Sequence, residues 1–531
     1  MSLVNQSQSK RLVAVHGWSG TLLGLFLYVI VLTGAVTVLA HEVGLWSASG
    51  KKVESPLEVG FHDRISELAA SVNPEYLEET LIYPTASHSL LVFFHTHAVN
   101  DKGKMDDLGV RFVLDPRTLE IIEQHEGFAS EMPSDNESAL ERFITTLHVN
   151  MHAPDPWGLF LTGILGFVML IAAISGLILH KHLLKDLFIA PRYSSALLNK
   201  KDRHVLAGSW SLPFSFVLAF TGAFFSFAGA IGLPVVAMVS FGGDQEKMFE
   251  TLVGTPQVVD ERPAPSANLD RVVIDSLQRV GADPALLIVH HWGRADSEIT
   301  IYNDPIKKDV KFSRHLYDGV TGDYKREMPT LGQEDSLGNE LYNWMFPLHF
   351  GTFAGLMSKI TWVALGLATC YVSLTGLQLW VQRRKDQPVW QKLSRLIPAF
   401  GFGTPVALVG GAIGYFIALP QGNAVSWTGW GFILSAILAL MAACTIKSPQ
   451  ILSSLYRFSL GIGLLSLPLL RMVLGGIYWP ELFASGNAMV IAMDLVFILG
   501  GGVTLALTLF RARGHLSSSE GSLEIMGATN E

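Results

Sequence analysis

Apolar residues run in eight long blocks along this chain, at about 14–40, 157–180, 205–238, 352–381, 399–419, 425–446, 456–477 and 487–510. A helix needs about 20 apolar residues to cross a bilayer, so each block predicts one transmembrane helix. Two long polar stretches, 41–156 and 239–348, separate the first two and the next two blocks, and a polar tail covers 511–531. Leu12–Ala40 holds no Asp, Glu, Lys or Arg. That run is longer than a signal-peptide core, so it reads as a retained helix.

Within the polar stretches the periodicity changes. In the first, Arg64–Ala70 has the spacing of a short amphipathic helix, and strand-like runs follow at Leu81–Tyr83, Leu90–Phe94 and Arg111–Leu114. A turn at Asp115-Pro116-Arg117-Thr118 ends them. The second repeats the plan, with a helix at Leu269–Val280, strands at Leu286–His290, Glu298–Tyr302 and Lys311–Leu316, and a turn at Asp318–Gly322. Each stretch therefore predicts a small α+β module.

Composition agrees with a membrane chain, since 49% of residues are hydrophobic and only 16% are charged. Basic residues mark one side: Lys10 and Arg11, then Lys200, Lys201 and Arg203, then Arg383, Arg384 and Lys385, while the loops near 420–424 and 478–486 hold none. The positive-inside bias places both termini in the cytoplasm and both modules on the outer side of the membrane. Residues 41–147 and 244–348 carry 37 of the 46 acidic side chains, which excludes the basic footprint of nucleic-acid binding. Cys370 and Cys444, the two cysteines, both fall in apolar runs and read as buried packing residues.

The first four blocks are two copies of one unit. His16 leads to Gly20 and Thr33-Gly34, and His204 leads to Gly208 and Thr221-Gly222, with 17 residues from His to Thr in both copies. Each copy then passes through its module to a Leu-His pair, Leu147-His148 or Leu348-His349. Ser175-Gly176 and Thr375-Gly376 follow after 27 and 26 residues. Because spans alternate in direction, His16 and His204 share the cytoplasmic level, and His148 and His349 share the outer one. Two imidazoles at one depth suit ligation of a haem iron from both faces, which leaves no open position and favours electron transfer. Two b-type haems per chain are expected, one on His16 and His204, the other on His148 and His349. The Gly pairs would let helices or a flat ligand approach closely.

Other residues compete for attention. His152 lies one turn after His148 and is an alternative outer ligand. His180 and His182 read as snorkelling residues at a helix end, and His41 as interfacial. His95 and His97 share one face of a strand and His290-His291 lies in the second module; surface histidines are the favoured reading of all four, with a periplasmic metal or substrate site as the alternative at each place. Arg471 and Asp494 sit about seven residues inside neighbouring spans and are expected to form an intramembrane ion pair, or a quinol or proton site. No Gly-rich strand-to-helix turn for a nicotinamide or flavin occurs in a cytoplasmic loop, so electrons would come from a separate cytoplasmic protein or a membrane quinol.

These motifs resemble the PepSY-associated transmembrane family of bacterial inner-membrane proteins over roughly residues 10–385. The turns Leu114–Thr118 and Tyr317–Gly322 are similar to the ends of PepSY modules, although Leu119 stands where glycine is usual. The resemblance implies an α-helical integral membrane protein with about eight transmembrane helices and two periplasmic α+β PepSY-like modules. It also implies a ferric-chelate or ferric-siderophore reductase, with haem on transmembrane histidines and the chelate docked between the modules. A periplasmic binding or regulatory protein without redox activity, or a transporter, are the competing readings.

Overall fold

The computed structural model describes residues 5–48, 60–85, 89–101, 103, 105–180, 187–188, 190–244, 247–248, 251, 259–303, 313–330 and 334–528. Seven of its helices are long and apolar enough to cross a membrane, and a bent pair makes an eighth. The bent pair is the first span. Helix α1 (Gln6–Leu22) and helix α2 (Gly24–Thr37) meet at 68°. Leu23 leaves helical geometry at φ −118°, and Gly24 begins the new helix with Leu377 packed against its bare Cα. The sequence expectation of one continuous helix over 14–40 is corrected here. A short helix α3 (Ala40–Ser47) follows.

Helix α4 (His62–Ser71) opens the first polar segment, and strands β1 (Glu79–Pro84), β2 (Leu90–Val99), β3 (Met105–Leu114) and β4 (Ile121–Phe128) follow. Helix α5 (Ala139–Asn150) then carries His148 towards the bilayer, and α6 (Trp157–Leu179) spans it. The third span is α7 (Ala196–Phe227), a π turn over Ala228–Gly232, and α8 (Leu233–Phe241). Pro234 in the first turn of α8 lacks the N–H that an α ladder needs, which accounts for the wider turn. The second polar segment supplies α9 (Leu269–Val280), β5 (Pro284–His290), β6 (Glu298–Asn303), β7 (Ser313–Asp318), β8 (Tyr324–Met328) and α10 (Leu337–Phe350). Residues 311 and 312 of the expected strand Lys311–Leu316, and His182, lie outside the described residues.

The two segments do not form separate modules. Their strands make one eight-stranded antiparallel sheet in the order β4-β3-β2-β1-β5-β6-β7-β8. The seam is β1 against β5, with Glu79 opposite His290 and Ile82 opposite Leu287. A cleft between two modules, expected as a docking place, is therefore absent among the described residues. Each segment alone would leave an exposed strand edge, and pairing β1 with β5 removes both edges. Alternate residues build one core under the whole sheet: Ile82, Phe94, Phe112, Leu287, Ile299 and Ile301 pack on Phe61, Ile65, Leu269 and Val272. Asp270 of α9 accepts hydrogen bonds from the backbone of Phe61 and His62 at the start of α4, tying the halves together. At the equivalent turns, Asp115 and Asp318 each accept two backbone N–H groups. Leu119 takes φ +58° where Gly322 takes +77°, so the missing glycine leaves the turn conformation unchanged.

The last spans are α11 (Gly355–Gln382), α12 (Pro388–Ala418), α13 (Ala424–Thr445), α14 (Pro449–Gly475) and, after a short α15 (Trp479–Ala484), α16 (Ala488–Ala528). The expected polar tail from 511 is a continuation of α16. The extra spans grip the first repeat. Trp46 of α3 lies between Phe416 and Phe497, with ring centroids 5.2 and 4.8 Å away. The Tyr415 hydroxyl donates to the carbonyl of Glu137, and Phe143 of α5 packs on Phe432. Cys370 is buried, but Cys444 is exposed on the apolar surface of α13, which corrects its expected packing role.

Candidate functional site

The four repeat histidines meet in two pairs. His16 of α1 faces His204 of α7 with ring centroids 6.4 Å apart and planes at 77°. His148 of α5 faces His349 of α10 at 6.2 Å and 28°. Gly222 lies against His349, and 18 residues of continuous α7 separate His204 from Gly222. At 1.5 Å per residue the two pairs are about 27 Å apart along that helix. The second pair sits on the two helices that follow the strands, and the first lies at the far ends of the spans.

Each ring is held by the small-residue pair of the neighbouring helix. His16 Nδ1 lies 3.0 Å from the Ala172 carbonyl and 3.1 Å from Ser175 Oγ. His204 Nδ1 lies 3.1 Å from the Val372 carbonyl and 3.0 Å from Thr375 Oγ1. His148 Nδ1 lies 3.1 Å from the Ile30 carbonyl and 3.5 Å from Thr33 Oγ1. His349 Nδ1 is 2.8 Å from Thr221 Oγ1. The hydroxyls are already donors, since Ser175, Thr375, Thr33 and Thr221 each give their proton to the carbonyl four residues back. Carbonyls accept only, so Nδ1 carries the proton in His16, His148 and His204, and for His349 the Thr221 hydroxyl, already donating to Val217, serves as the acceptor. Nε2 is then the lone-pair nitrogen, and among the described residues it makes no hydrogen bond.

The glycine beside each hydroxyl makes room for the ring. A Cβ on Gly34 would come within 2.8 Å of His148 Cε1, and on Gly222 within 3.2 Å of His349 Cε1. On Gly376 it would lie 3.2 Å from His204 Cε1, and on Gly176 3.4 Å from His16 Cε1. The sequence pointed to close approach at these glycines. It did not say that each Ser/Thr-Gly pair serves the histidine of the other half-unit, although the shared spacing was the available signal.

This donor set fits metal ligation. A metal-bound imidazole almost always gives its second N–H to a carbonyl or similar acceptor, which fixes tautomer and orientation. With metal–nitrogen bonds of ~2.0–2.1 Å, two rings holding one ion from opposite sides have centroids roughly 6.3 Å apart. Both pairs have that separation. A cavity of about 860 Å³ opens beside His16 and His204, lined also by Gly176, Gly208, Arg192 and Lys201. Cofactor pockets have this size.

The remaining candidates sit elsewhere. His152 turns back to the Phe143 carbonyl, 3.0 Å away, and is exposed, so the structure puts His148 rather than His152 opposite His349. His180 lines the cavity and its Nε2 lies 3.3 Å from Ser209 Oγ. His41 is exposed at the start of α3.

A family model for the PepSY-associated TM region matches residues 13–383. The chain belongs to the PepSY-associated transmembrane family. The matched PepSY-associated region takes in both histidine pairs, their Ser/Thr-Gly partners and all eight strands, and leaves out α12–α16. The chain is also similar to an uncharacterized protein of Pseudomonas aeruginosa, 26% identical over 388 residues that make up 70% of this chain and 94% of that protein. This PepSY-associated protein is a multi-pass membrane protein.

Outside the matched region, Arg471 and Asp494 form a fully buried ion pair at 2.6 Å. Asp494 also accepts from the indole N–H groups of Trp46 and Trp479, both at 2.8 Å. Arg471 adds a second bond to the carboxylate through Nε and one to the Ile477 carbonyl. Four donors use the acceptor positions of the carboxylate, which suits a structural tie better than a proton or quinol site.

Proposed function

We propose that this protein is a two-haem electron carrier that reduces ferric chelates, siderophores among them, on the sheet side of a bacterial inner membrane. The reading rests on one observation: four histidines in two pairs with ring centroids 6.4 and 6.2 Å apart, each with Nδ1 engaged by a neighbouring helix so that Nε2 is left as the ligating nitrogen. His16 and His204 would hold one b-type haem, and His148 and His349 the other. Haem held by two of these imidazoles would supply a one-electron couple with no open coordination position. The chain's own part is to orient the rings through carbonyls and hydroxyls, to keep water away with apolar spans, and to set the two sites at opposite ends of those spans.

The termini and the His16–His204 pair would face the cytoplasm, where a reductant protein or membrane quinol delivers electrons. Each electron passed to the far pair reduces one Fe(III) to Fe(II), and an oxygen-rich chelator holds the softer ferrous ion less tightly. The strands of each segment lead directly into the helices that carry His148 and His349, so the sheet side would be the docking side for the chelate.

The test is a visible spectrum and a haem count on protein purified in detergent, followed by a reoxidation assay. Two low-spin haems per chain are expected. His16→Ala and His204→Ala should each lose one, and His148→Ala and His349→Ala the other. Dithionite-reduced protein in liposomes should be reoxidised anaerobically by an external ferric chelate, with ferrous iron trapped by ferrozine. Protein that carries no haem would overturn the reading in favour of a binding protein or transporter, and haems that stay reduced across a panel of chelates would leave only an electron carrier.

A further inference from the structure

A second cluster of ligating side chains lies on the open face of the sheet, where the two polar segments join. Strand pairing places Gly109, His95, Glu79, His290 and Glu298 in one row across β3, β2, β1, β5 and β6. One rung further along β2, His97 pairs with Asp107. Side chains two apart on a strand share a face, so His95, His97, Glu79 and Asp107 converge. The opposite face is the apolar core, which none of these four enters.

The distances are those of a ligand set slightly open. His95 Nε2 lies 3.7 Å from Glu79 Oε1 and 3.9 Å from Asp107 Oδ1. His97 Nδ1 is 2.8 Å from the same Asp107 oxygen, and His290 Nδ1 is 3.4 Å from the other Glu79 oxygen. One ligand atom each from Glu79, His95 and His97 all lie within 4.8 Å of one another. Ligand atoms around a tetrahedral ion with bonds of ~2.1 Å lie about 3.4 Å apart, so small side-chain movements close the set. His95 is 1% exposed, while His97 and Asp107 are 34% and 39% exposed, which gives a rigid floor and an entry path.

We propose that His95, His97, Glu79 and Asp107 bind one divalent first-row transition ion on the open face of the sheet, with His290 orienting Glu79. Two imidazoles with carboxylate oxygens suit Zn(II) and non-haem Fe(II), and the softness of imidazole disfavours Ca(II) and Mg(II). Burial holds the His95 pKa below its usual value, the hydrogen bond from His97 holds Asp107 below the usual carboxylate range, and burial raises Glu79 above its usual value, a shift that a bound cation would oppose. All four ligands belong to the first segment, and the second contributes His290 across the seam, on the Glu79 oxygen turned away from His95.

The test uses full-length protein without a polyhistidine tag, in detergent, stripped with EDTA and dialysed against Zn(II). Zinc and iron per chain are read together by mass spectrometry, which separates this site from haem iron. One tight zinc per chain is expected. His95→Ala, His97→Ala and Glu79→Gln should each weaken it at least tenfold, while His125→Ala on the neighbouring strand should leave it unchanged. Glu79→Gln keeps the shape of the site, and haem iron equal to wild type certifies the fold of each variant. Wild-type protein that takes up no more zinc than a His95→Ala/His97→Ala double variant of equal haem content would overturn the proposal. So would a site that survives all three substitutions.

Discussion

At the scale of single residues, the unit of this protein is a histidine with its Ser/Thr-Gly partner on another helix. The hydroxyl and the backbone carbonyl settle which nitrogen carries the proton, and the glycine settles where the ring lies. These two roles separate by mutation. Gly34→Ala puts a methyl 2.8 Å from the His148 ring, and overpacking of that kind costs about 1–3 kcal/mol. On the proposed two-haem reading, haem at the His148–His349 pair should fall at least tenfold in this variant, whereas Gly176→Ala, at 3.4 Å from His16, should leave occupancy at the His16–His204 pair unchanged. Equal occupancy in the two variants would show that ring placement does not depend on the glycine. Thr221→Val keeps volume but removes the acceptor of the His349 Nδ1 proton. A ligand that loses this bond is less basic and favours Fe(III) less, so a redox titration should give a raised midpoint potential for one haem. An unchanged potential would mean the hydroxyl only packs.

At the scale of elements, the question is what α12–α16 contribute to a site they do not touch. Trp46 answers it, because it closes α3 between α12 and α16 and bonds Asp494. The residues around Glu137, just before the His148 helix, are fixed through Tyr415, and that helix packs on α13 through Phe143. Removing one partner of a buried ion pair costs about 3–5 kcal/mol, since the other is stranded. Asp494→Ala strands Arg471 and two indoles, while Arg471→Ala leaves Asp494 with both indole donors. Thermal unfolding should therefore rank Asp494→Ala below Arg471→Ala, and the double variant should be milder than the sum of the two. Strict additivity would show that the pair is not coupled.

At the scale of the whole molecule, the sheet makes one body of two sequence repeats. Were the two segments independent, β1 and β5 would be strand edges with amides open to water. Joined, they are central strands, and the edges are β4 and β8. Hydrogen exchange in detergent should then protect the amides of residues 80–82 and 287–289 as strongly as those of β2 and β6, with residues 121–128 and 324–328 exchanging first. Fast exchange at the seam with slow exchange elsewhere would mean that the halves part in solution. The repeat is thus a pair of half-sites: each histidine pair takes one ring from each copy, and the cluster around Glu79 also crosses between copies.

The sequence alone determined which parts of the chain cross the bilayer, because about 20 apolar residues in a row have no other comfortable place. It also determined the repeat, the four histidines and their pairing by depth, because equal spacing on helices of fixed rise carries position directly. The helix at Leu269–Val280 and the aspartate turns at 115 and 318 were legible for the same local reason. The β4 and β8 strands were not, since Ile121–Phe128 and Tyr324–Met328 are edge strands whose exposed polar residues dilute the alternation. Nor was the 68° bend, which depends on what packs beside Gly24. Only the tertiary structure decided that β1 pairs with β5, that His148 and not His152 meets His349, and that His95, His97 and His290 gather around Glu79. These are contacts between residues far apart in the chain, and they follow from which edges and rings find partners once the helices have packed, a matter on which periodicity is silent.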